Sequence, residues 1–241
     1  MQINDTLQTL LKRCSVRNYL PQMIEPDKIQ KLKQVINNAP TSMNIQSFSA
    51  VFITNKAIKH QMMLWNWQQS HIDQAPLLVI FFADVNRLIA AQQMHHLPDT
   101  THQWDQYITG TIDATIACTQ AMDAAINMGL GTCFIGGLRR FASQINQTLN
   151  VNGTAIPVVA MTFGHSTEPG THRPKVNKCY DELYNNELLI KELHEYDEQS
   201  KIYYDQVYKK NISWSLASAK AVQKMDSQST LTELKKIWEI Q

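Results

Sequence analysis

Asn127-Met128-Gly129-Leu130-Gly131-Thr132-Cys133-Phe134-Ile135-Gly136-Gly137-Leu138-Arg139 joins an alanine-rich helical pattern to a β-favouring run and then to a Gly-Gly turn. Gly129 stands where a helix ends in a left-handed cap, and Gly131 gives a second permissive position before Thr132-Cys133-Phe134-Ile135. Gly136 and Gly137 let backbone amides approach a flat or anionic ligand, because no side chain intervenes. Arg139 closes the turn with a charge. The stretch is not a dinucleotide fingerprint: Phe134 fills the third glycine position of G-x-G-x-x-G, and the glycines follow a helix instead of a strand. Read alone, it is equally an ordinary tight connection.

Upstream, residues 106–128 have Ile108, Ile112 and Ile116 four apart, with Ala114, Ala117, Ala121, Ala124 and Ala125 between them, which predicts a core helix on which something packs closely. Downstream, Phe141, Ile145 and Leu149 mark an amphipathic helix, and the apolar run 156–163, ending at Gly164-His165, reads as a buried strand. The run Leu77-Leu78-Val79-Ile80-Phe81-Phe82-Ala83, bounded by Pro76 and Asp84, suits a strand covered on both faces. Residues 50–53 read as another strand. Helices are expected at 5–12, at 56–65 and from Glu25-Pro26-Asp27 with the stripe Ile29, Leu32, Val35 and Ile36. Past the last strand come a loop at 166–178 with Pro169, Gly170 and Pro174, a helix from Leu183 to Tyr208, a segment from Ser213, and a last helix from Thr230. There Thr230 and Glu233 form a capping box, and Leu231, Leu234 and Trp238 a stripe. This helical tail has little sheet left to pack on, which points to a partner subunit.

With 22 basic and 21 acidic residues, the 241-residue chain lacks the bulk charge of a nucleic-acid binder, so an anionic ligand has to be held by a few placed cations. Cys14, Cys118, Cys133 and Cys179 form no C-x-x-C pair, which speaks against zinc and disulfides and for reduced thiols in a cytoplasmic protein. Gln2, Asn4 and Asp5 make the first residues polar, and no apolar run reaches the ~20 residues of a membrane helix. His95, His96 and His102 with Asp99 and Asp105 invite a metal reading, but their spacing fits neither a helical pair nor a known loop. Trp104 beside them is a candidate for a pocket mouth.

The candidate ligand residues lie elsewhere. Arg13, Ser15 and Arg17 alternate, so an extended segment points all three to one side, where two guanidinium forks flanking a hydroxyl suit a phosphate; a solvated basic loop has the same composition. Thr41, Ser42 and Gln46 sit in a polar loop that offers neutral donors or solvates itself. Arg173-Pro174-Lys175 sets two cations around a rigid residue.

Taken in order, Arg13-Cys14-Ser15-Val16-Arg17, the loop ending at Gln46, Gln69, Ala83-Asp84 with Asn86-Arg87, Gly129-Leu130-Gly131 with Ile135-Gly136-Gly137-Leu138-Arg139, Arg173-Pro174-Lys175, Tyr196-Asp197-Glu198-Gln199 with Tyr203-Tyr204, and Trp214-Ser215 resemble the nitroreductase family of flavoproteins, in particular its NADPH-dependent flavin reductases and oxygen-insensitive nitroreductases. The resemblance implies an α+β fold with a mixed sheet sandwiched by helices. It implies one domain over 1–241 whose helical extension, about 182–241, wraps the partner of an intertwined homodimer, with FMN at the interface. Arg13, Ser15 and Lys175 would hold the FMN phosphate, and Arg17 and Arg173 the ribityl chain and pyrimidine edge. Cys14, Thr41, Ser42, Gln46, Gln69, Phe134, Ile135 and Arg139 line the cofactor, and the amides of Gly136 and Gly137 face its hydride-accepting nitrogen and neighbouring carbonyl. NADPH or NADH would reduce the flavin, and a nitroaromatic, a quinone or free flavin would then reoxidise it in ping-pong order. Dehalogenation, ene reduction and non-catalytic flavin binding are the alternatives.

Three departures bear on these expectations. Cys14 stands where the family usually has Arg or His, leaving one phosphate contact short. The family's Lys-Pro-Arg is here Arg173-Pro174-Lys175, which exchanges a fork for a point charge. Lys209 and Lys210 replace an Arg pair expected at the NADPH 2'-phosphate, leaving the choice between NADPH and NADH open.

Overall fold

The structure, a computed structural model, describes residues 5–168, 170–225 and 227–238. Gln2, Asn4, Pro169 and the last three residues of the expected extension lie outside the described residues. The elements are α1 (Asp5–Lys12), α2 (Pro26–Asn37), β1 (Phe48–Ile53), α3 (Lys56–Trp65), α4 (His71–Gln74), β2 (Leu77–Ala83) and α5 (Asn86–Met94). After them come α6 (Trp104–Asn127), β3 (Gly131–Ile135), α7 (Ala142–Leu149), β4 (Ile156–Gly164), α8 (Asn186–Tyr208), α9 (Trp214–Gln223) and α10 (Ser227–Trp238). They form two compact units, one of residues 1–170 with 228–241, the other of residues 171–227.

In the first unit the strands run in the order β1-β2-β4-β3. The α+β class holds, but the sheet is not mixed: every pairing among the described residues is antiparallel. The physical reason lies in the connections. Helices α3 and α4 pack on each other as a short helical hairpin, so the chain leaves β1 at Ile53 and re-enters opposite it at Leu78.

β2 is buried along its whole length, because helices cover both faces. Leu77, Val79, Phe81 and Ala83 pack with α2 and α6, while Leu78, Ile80 and Phe82 pack with Met62, Ile72 and Ile145 of α3, α4 and α7. Between Phe81 and Phe82 the register slips by one against β4, a bulge that leaves Val158 outside the regular pairing. Arg139 donates from Nη1 to the Val158 carbonyl at 3.0 Å, so part of the guanidinium expected at the cofactor is committed to the sheet.

Helix α6 crosses all four strands on its alanine stripe: Ala114, Ala117, Ala121 and Ala125 are fully buried. The isoleucines face the other way, with Ile108 and Ile112 at 52 and 53% exposure. The helix ends as expected of its first glycine: Gly129 is left-handed (φ 76°), its N–H meets the Ile126 carbonyl, and Leu130 N–H reaches Ala125 at 2.9 Å, a double closure of the last turn.

The last helix begins at Ser227, earlier than Thr230, so no capping box forms there. Glu233 instead accepts the Ser143 N–H at 2.7 Å and caps α7. Trp238 is fully buried with Val85, Ile156 and Leu234, so α10 packs on its own chain. Tyr107 meets Trp238 edge-on at 5.5 Å and Trp104 meets Tyr107 at 6.1 Å, so Trp104 continues an aromatic ladder and stays partly exposed at its end. His102 lies between Asp99 (3.2 Å) and the Trp238 carbonyl (3.0 Å), and no metal-ligand cluster occurs among the described residues.

Candidate functional site

The residues after α1 run along the outer edge of β3, with Val16 N–H donating to the Thr132 carbonyl at 2.9 Å. Gly131 is required by this contact and not by a turn: a Cβ there would stand 2.8 Å from the Val16 side chain. Burial raises the pKa of the Cys133 thiol, while the Arg17 charge, the Ser15 hydroxyl and the Arg13 charge pull it down. All three residues of the alternation thus act on one thiol. Among the described residues neither Arg13 nor Arg17 forms an ion pair. Cys14 points its thiol back to the Lys12 carbonyl at 3.5 Å, and Gly170 packs against the Cys14-Ser15 backbone.

Two buried polar atoms with no hydrogen-bond partner among the described residues lie near this edge. His71 Nε2 is one; burial, reinforced by the Arg17 charge, pushes the imidazole down to about 4, so it is neutral at pH 7. Asn66 Oδ1 is the other, and a Cβ on Gly137 would stand 2.8 Å from it. Gly137 is pressed against the Trp67 indole, which lies under the Arg140 guanidinium at 4.3 Å, whereas a Cβ on Gly136 would meet nothing within 4 Å. Trp67 and Gln68 are both left-handed (φ 53° and 54°), and half-buried Gln69 follows them. Phe134 presents its ring outward, while Ile135 points into the core and offers a ligand only its backbone.

The polar loop lies before β1, at the other edge of the sheet. It turns once through Ser42–Asn44, with Met43, Asn44 and Gln46 left-handed (φ 50°, 58° and 60°). Ser42 N–H donates to Asp113 Oδ1 of α6 at 3.0 Å, and Gln46 N–H to Thr41 Oγ1 at 3.2 Å. Asp113 is buried, and its second oxygen has no partner. Thr41, Asn44, Gln46, Lys33 and Arg87 line a cavity of about 690 Å³ between α2 and β1.

The two groups lie at diagonal corners. Thr132 pairs with Phe163, Phe163 with Leu77, and the row ends near Ile53, whereas the loop joins β1 at Phe48, opposite Ala83. That separates them by about 14 Å across three strand spacings and about 17 Å along five residues.

The second unit holds the remaining candidates. Arg173 stacks on Tyr208 and donates to its hydroxyl at 2.6 Å. With Lys175, Lys178, Tyr196, Tyr203 and Trp214 it lines a cavity of about 240 Å³. Lys209 caps α8 in the left-handed region (φ 53°), and both it and Lys210 are exposed.

Sequence reasoning gave no role to Asp113, Arg87, His71, Trp67 or Arg140. Asp113 had a signal: it is a carboxylate at core spacing among the alanines of α6. Trp67 and Arg140 had none, since their meeting depends on a left-handed backbone.

The profile of the nitroreductase family matches residues 10–165, more than half of the chain. An "FMN reductase [NAD(P)H]" of Bacillus subtilis is 27% identical over 207 residues, covering 83% of each chain. An "NADPH-flavin oxidoreductase" of Vibrio harveyi is 24% identical over 205 residues, covering 84% of this chain and 83% of its own. The solved structure of B. megaterium NfrA2 matches with a TM-score of 0.91 at 25% identity, covering 98% of this chain and 97% of that one.

Proposed function

Because the chain belongs to the nitroreductase family, we propose that it is an FMN-dependent NAD(P)H oxidoreductase that reduces a small acceptor such as a nitroaromatic, a quinone or free flavin. The observation that carries the reading is the β3 corner: two guanidiniums without an ion pair among the described residues and a hydroxyl, with an open glycine after β3 and with Asn66 Oδ1 and His71 Nε2 buried without a hydrogen-bond partner among the described residues. This donor set fits a phosphorylated, ring-bearing cofactor. FMN, when bound, supplies two-electron transfer from the nicotinamide to the acceptor. In the first unit Arg13 and Ser15 would hold the phosphate, Arg17 would supply positive charge toward the pyrimidine edge, and Gln69 with the Gly136 and Gly137 amides would orient the ring; Arg173 and Lys175 are the second unit's own candidate cations for FMN. Thr41, Ser42 and Gln46 provide neutral hydrogen bonds. Lys209 and Lys210 are our candidates for the 2'-phosphate of NADPH. No side chain is asked to act as nucleophile or base.

The diagonal separation supports a homodimer. Asp113 near one end of α6 holds the polar loop, and Gly129 past the other end leads to the β3 corner, about 24 Å away at 1.5 Å per residue. Pairing the isoleucine face of α6 with its copy about a two-fold axis reverses the helix and sets one subunit's polar loop against the other's basic corner. The face has the composition for it, with Ile112, Ile116, Thr115 and Thr119 lining a shallow cavity of about 400 Å³. We take α8 and α9 as the part of the extension that wraps the partner. The free thiols suit a reducing, cytoplasmic setting, and no helix among the described residues is long and apolar enough to cross a membrane.

The visible spectrum of the purified protein, followed by anaerobic addition of NADPH and NADH separately, tests the reading. Flavin bands that bleach with one nucleotide are expected. A protein that stays colourless after FMN is supplied defeats it.

A further inference from the structure

Asp84-Val85-Asn86-Arg87 has so far been given no task. It follows β2 directly, between strands β1 and β4, and its side chains reach toward both. Asp84 receives the Ser49 hydroxyl on Oδ2 at 2.5 Å and the Asn86 N–H on Oδ1 at 3.0 Å, while its own N–H donates to the Ser47 carbonyl at 2.9 Å. Arg87 turns to the β1 side. Its Nη1 donates to Ser49 Oγ at 3.1 Å, and its Nη2 to the Phe48 carbonyl and, at 3.4 Å, to the Gln46 carbonyl. Asn86 turns to the β4 side, donating to the Asn152 carbonyl at 3.0 Å and accepting the Thr154 N–H at 3.1 Å.

One short motif thus clamps two loops, and only one of them carries candidate ligands. That loop is also the strained one, with Met43, Asn44 and Gln46 left-handed without being glycine. Such a backbone persists only where its surroundings hold it. Phe48 is fixed by its pairing with Ala83, so a guanidinium bonded to the carbonyls on both sides of Ser47 transmits the position of the sheet to Gln46. The fork geometry suits this, since one ammonium has no planar spread of donors for three acceptors.

We propose that Arg87, braced by Asp84 and Ser49, is a positioning residue that holds the loop 41–46 in its ligand-binding conformation without contacting the ligand. This inference rests on the loop being an FMN ligand.

The test titrates the flavin-free, full-length chain with FMN, read by quenching of flavin fluorescence, beside melting followed by circular dichroism. Arg87→Ala should raise the apparent Kd at least about tenfold. Asn86→Ala, which removes bonds of the same kind from the same motif, should lower the melting temperature comparably yet leave Kd within about twofold. Equal weakening by both, in step with their loss of melting temperature, would reduce Arg87 to ordinary structure and overturn the proposal, as would an Arg87→Ala that binds like the parent. If Arg87→Ala does not fold, Ser49→Ala decides: about threefold weaker binding at near-parental melting temperature upholds the bracing, and unchanged binding overturns it. A parent chain that binds no FMN defeats the flavin reading itself, and this inference with it.

Discussion

Along β3 the chain gathers charge: Arg13 and Arg17 stand on either side of Ser15 without an ion pair among the described residues, on a segment laid against an edge strand and anchored by Val16. Along β1 it gathers neutral donors on a backbone in left-handed conformations, braced from behind by Asp113 and Arg87. The first region is pre-charged and needs little conformational holding; the second is uncharged, so its value to a ligand lies in shape that other residues maintain. On the proposed reading, each corner supplies half of one FMN site and a second copy unites them.

The largest effect should come from preventing that union. Ile112→Glu with Ile116→Glu places two carboxylates on the outward face of α6, at an exposed and a half-buried position that water reaches in a monomer but that would be closed off against a copy. Light scattering should report monomers, and FMN affinity should fall at least about a hundredfold, because each monomer retains only half the ligands. A monomer that binds FMN normally would break the comparison.

Next in size is the contrast between the corners. Arg17→Ala should weaken FMN binding about ten- to a hundredfold and flatten its salt dependence. Ser42→Ala keeps the backbone bond to Asp113 and removes only a hydroxyl, so about two- to fivefold is expected, with salt dependence unchanged. Equal effects would erase the distinction between a charged and a shaped corner.

Much of this was legible in the chain. The placement of the segment 13–17 was legible because Val16 is apolar and Gly131 small, which pins one side of it to β3. β2 was legible because both its faces are covered, and α3 because Asn55 and Trp65 bound it cleanly. The direction of the α6 isoleucines was not. Periodicity finds a face but not what it meets, and here alanine takes the sheet because only a small side chain lets a helix cross four strands. Glu233 was misassigned for a related reason: a carboxylate three residues after a threonine imitates a local cap, while its actual partner, Ser143, lies far off in sequence. The bond from Arg139 to the bulge carbonyl of Val158 was not legible either, because the bulge has no signature in the sequence.

A smaller effect separates folding from binding at the β3 corner. His71 is depressed to about 4 by burial and by Arg17, against an ordinary value near 6.5. The unfolded chain therefore binds more protons between those two values, so stability is full above about 6.5 and is lost as pH falls toward 4. Between pH 7 and pH 4.5 the loss from this residue should be about 2 kcal/mol, read by urea denaturation, and His71→Gln should remove that part of the slope. A slope unchanged in His71→Gln would mean the imidazole is not held neutral.

The smallest effect marks what lies outside the comparison altogether. Glu233 accepts the N–H of Ser143 at the second position of α7, a carboxylate on the positive end of a helix supplied from α10. Glu233→Ala should cost about 1 kcal/mol and lower the melting temperature by about 2–4 °C, with Glu233→Gln losing less because it keeps an acceptor. FMN affinity should stay within about twofold in both, since neither Glu233 nor Ser143 is among the proposed ligands. If it drops as far as in Ser42→Ala, the helices under the sheet feed into the site, and the division into a charged corner and a shaped corner has to be widened to include them.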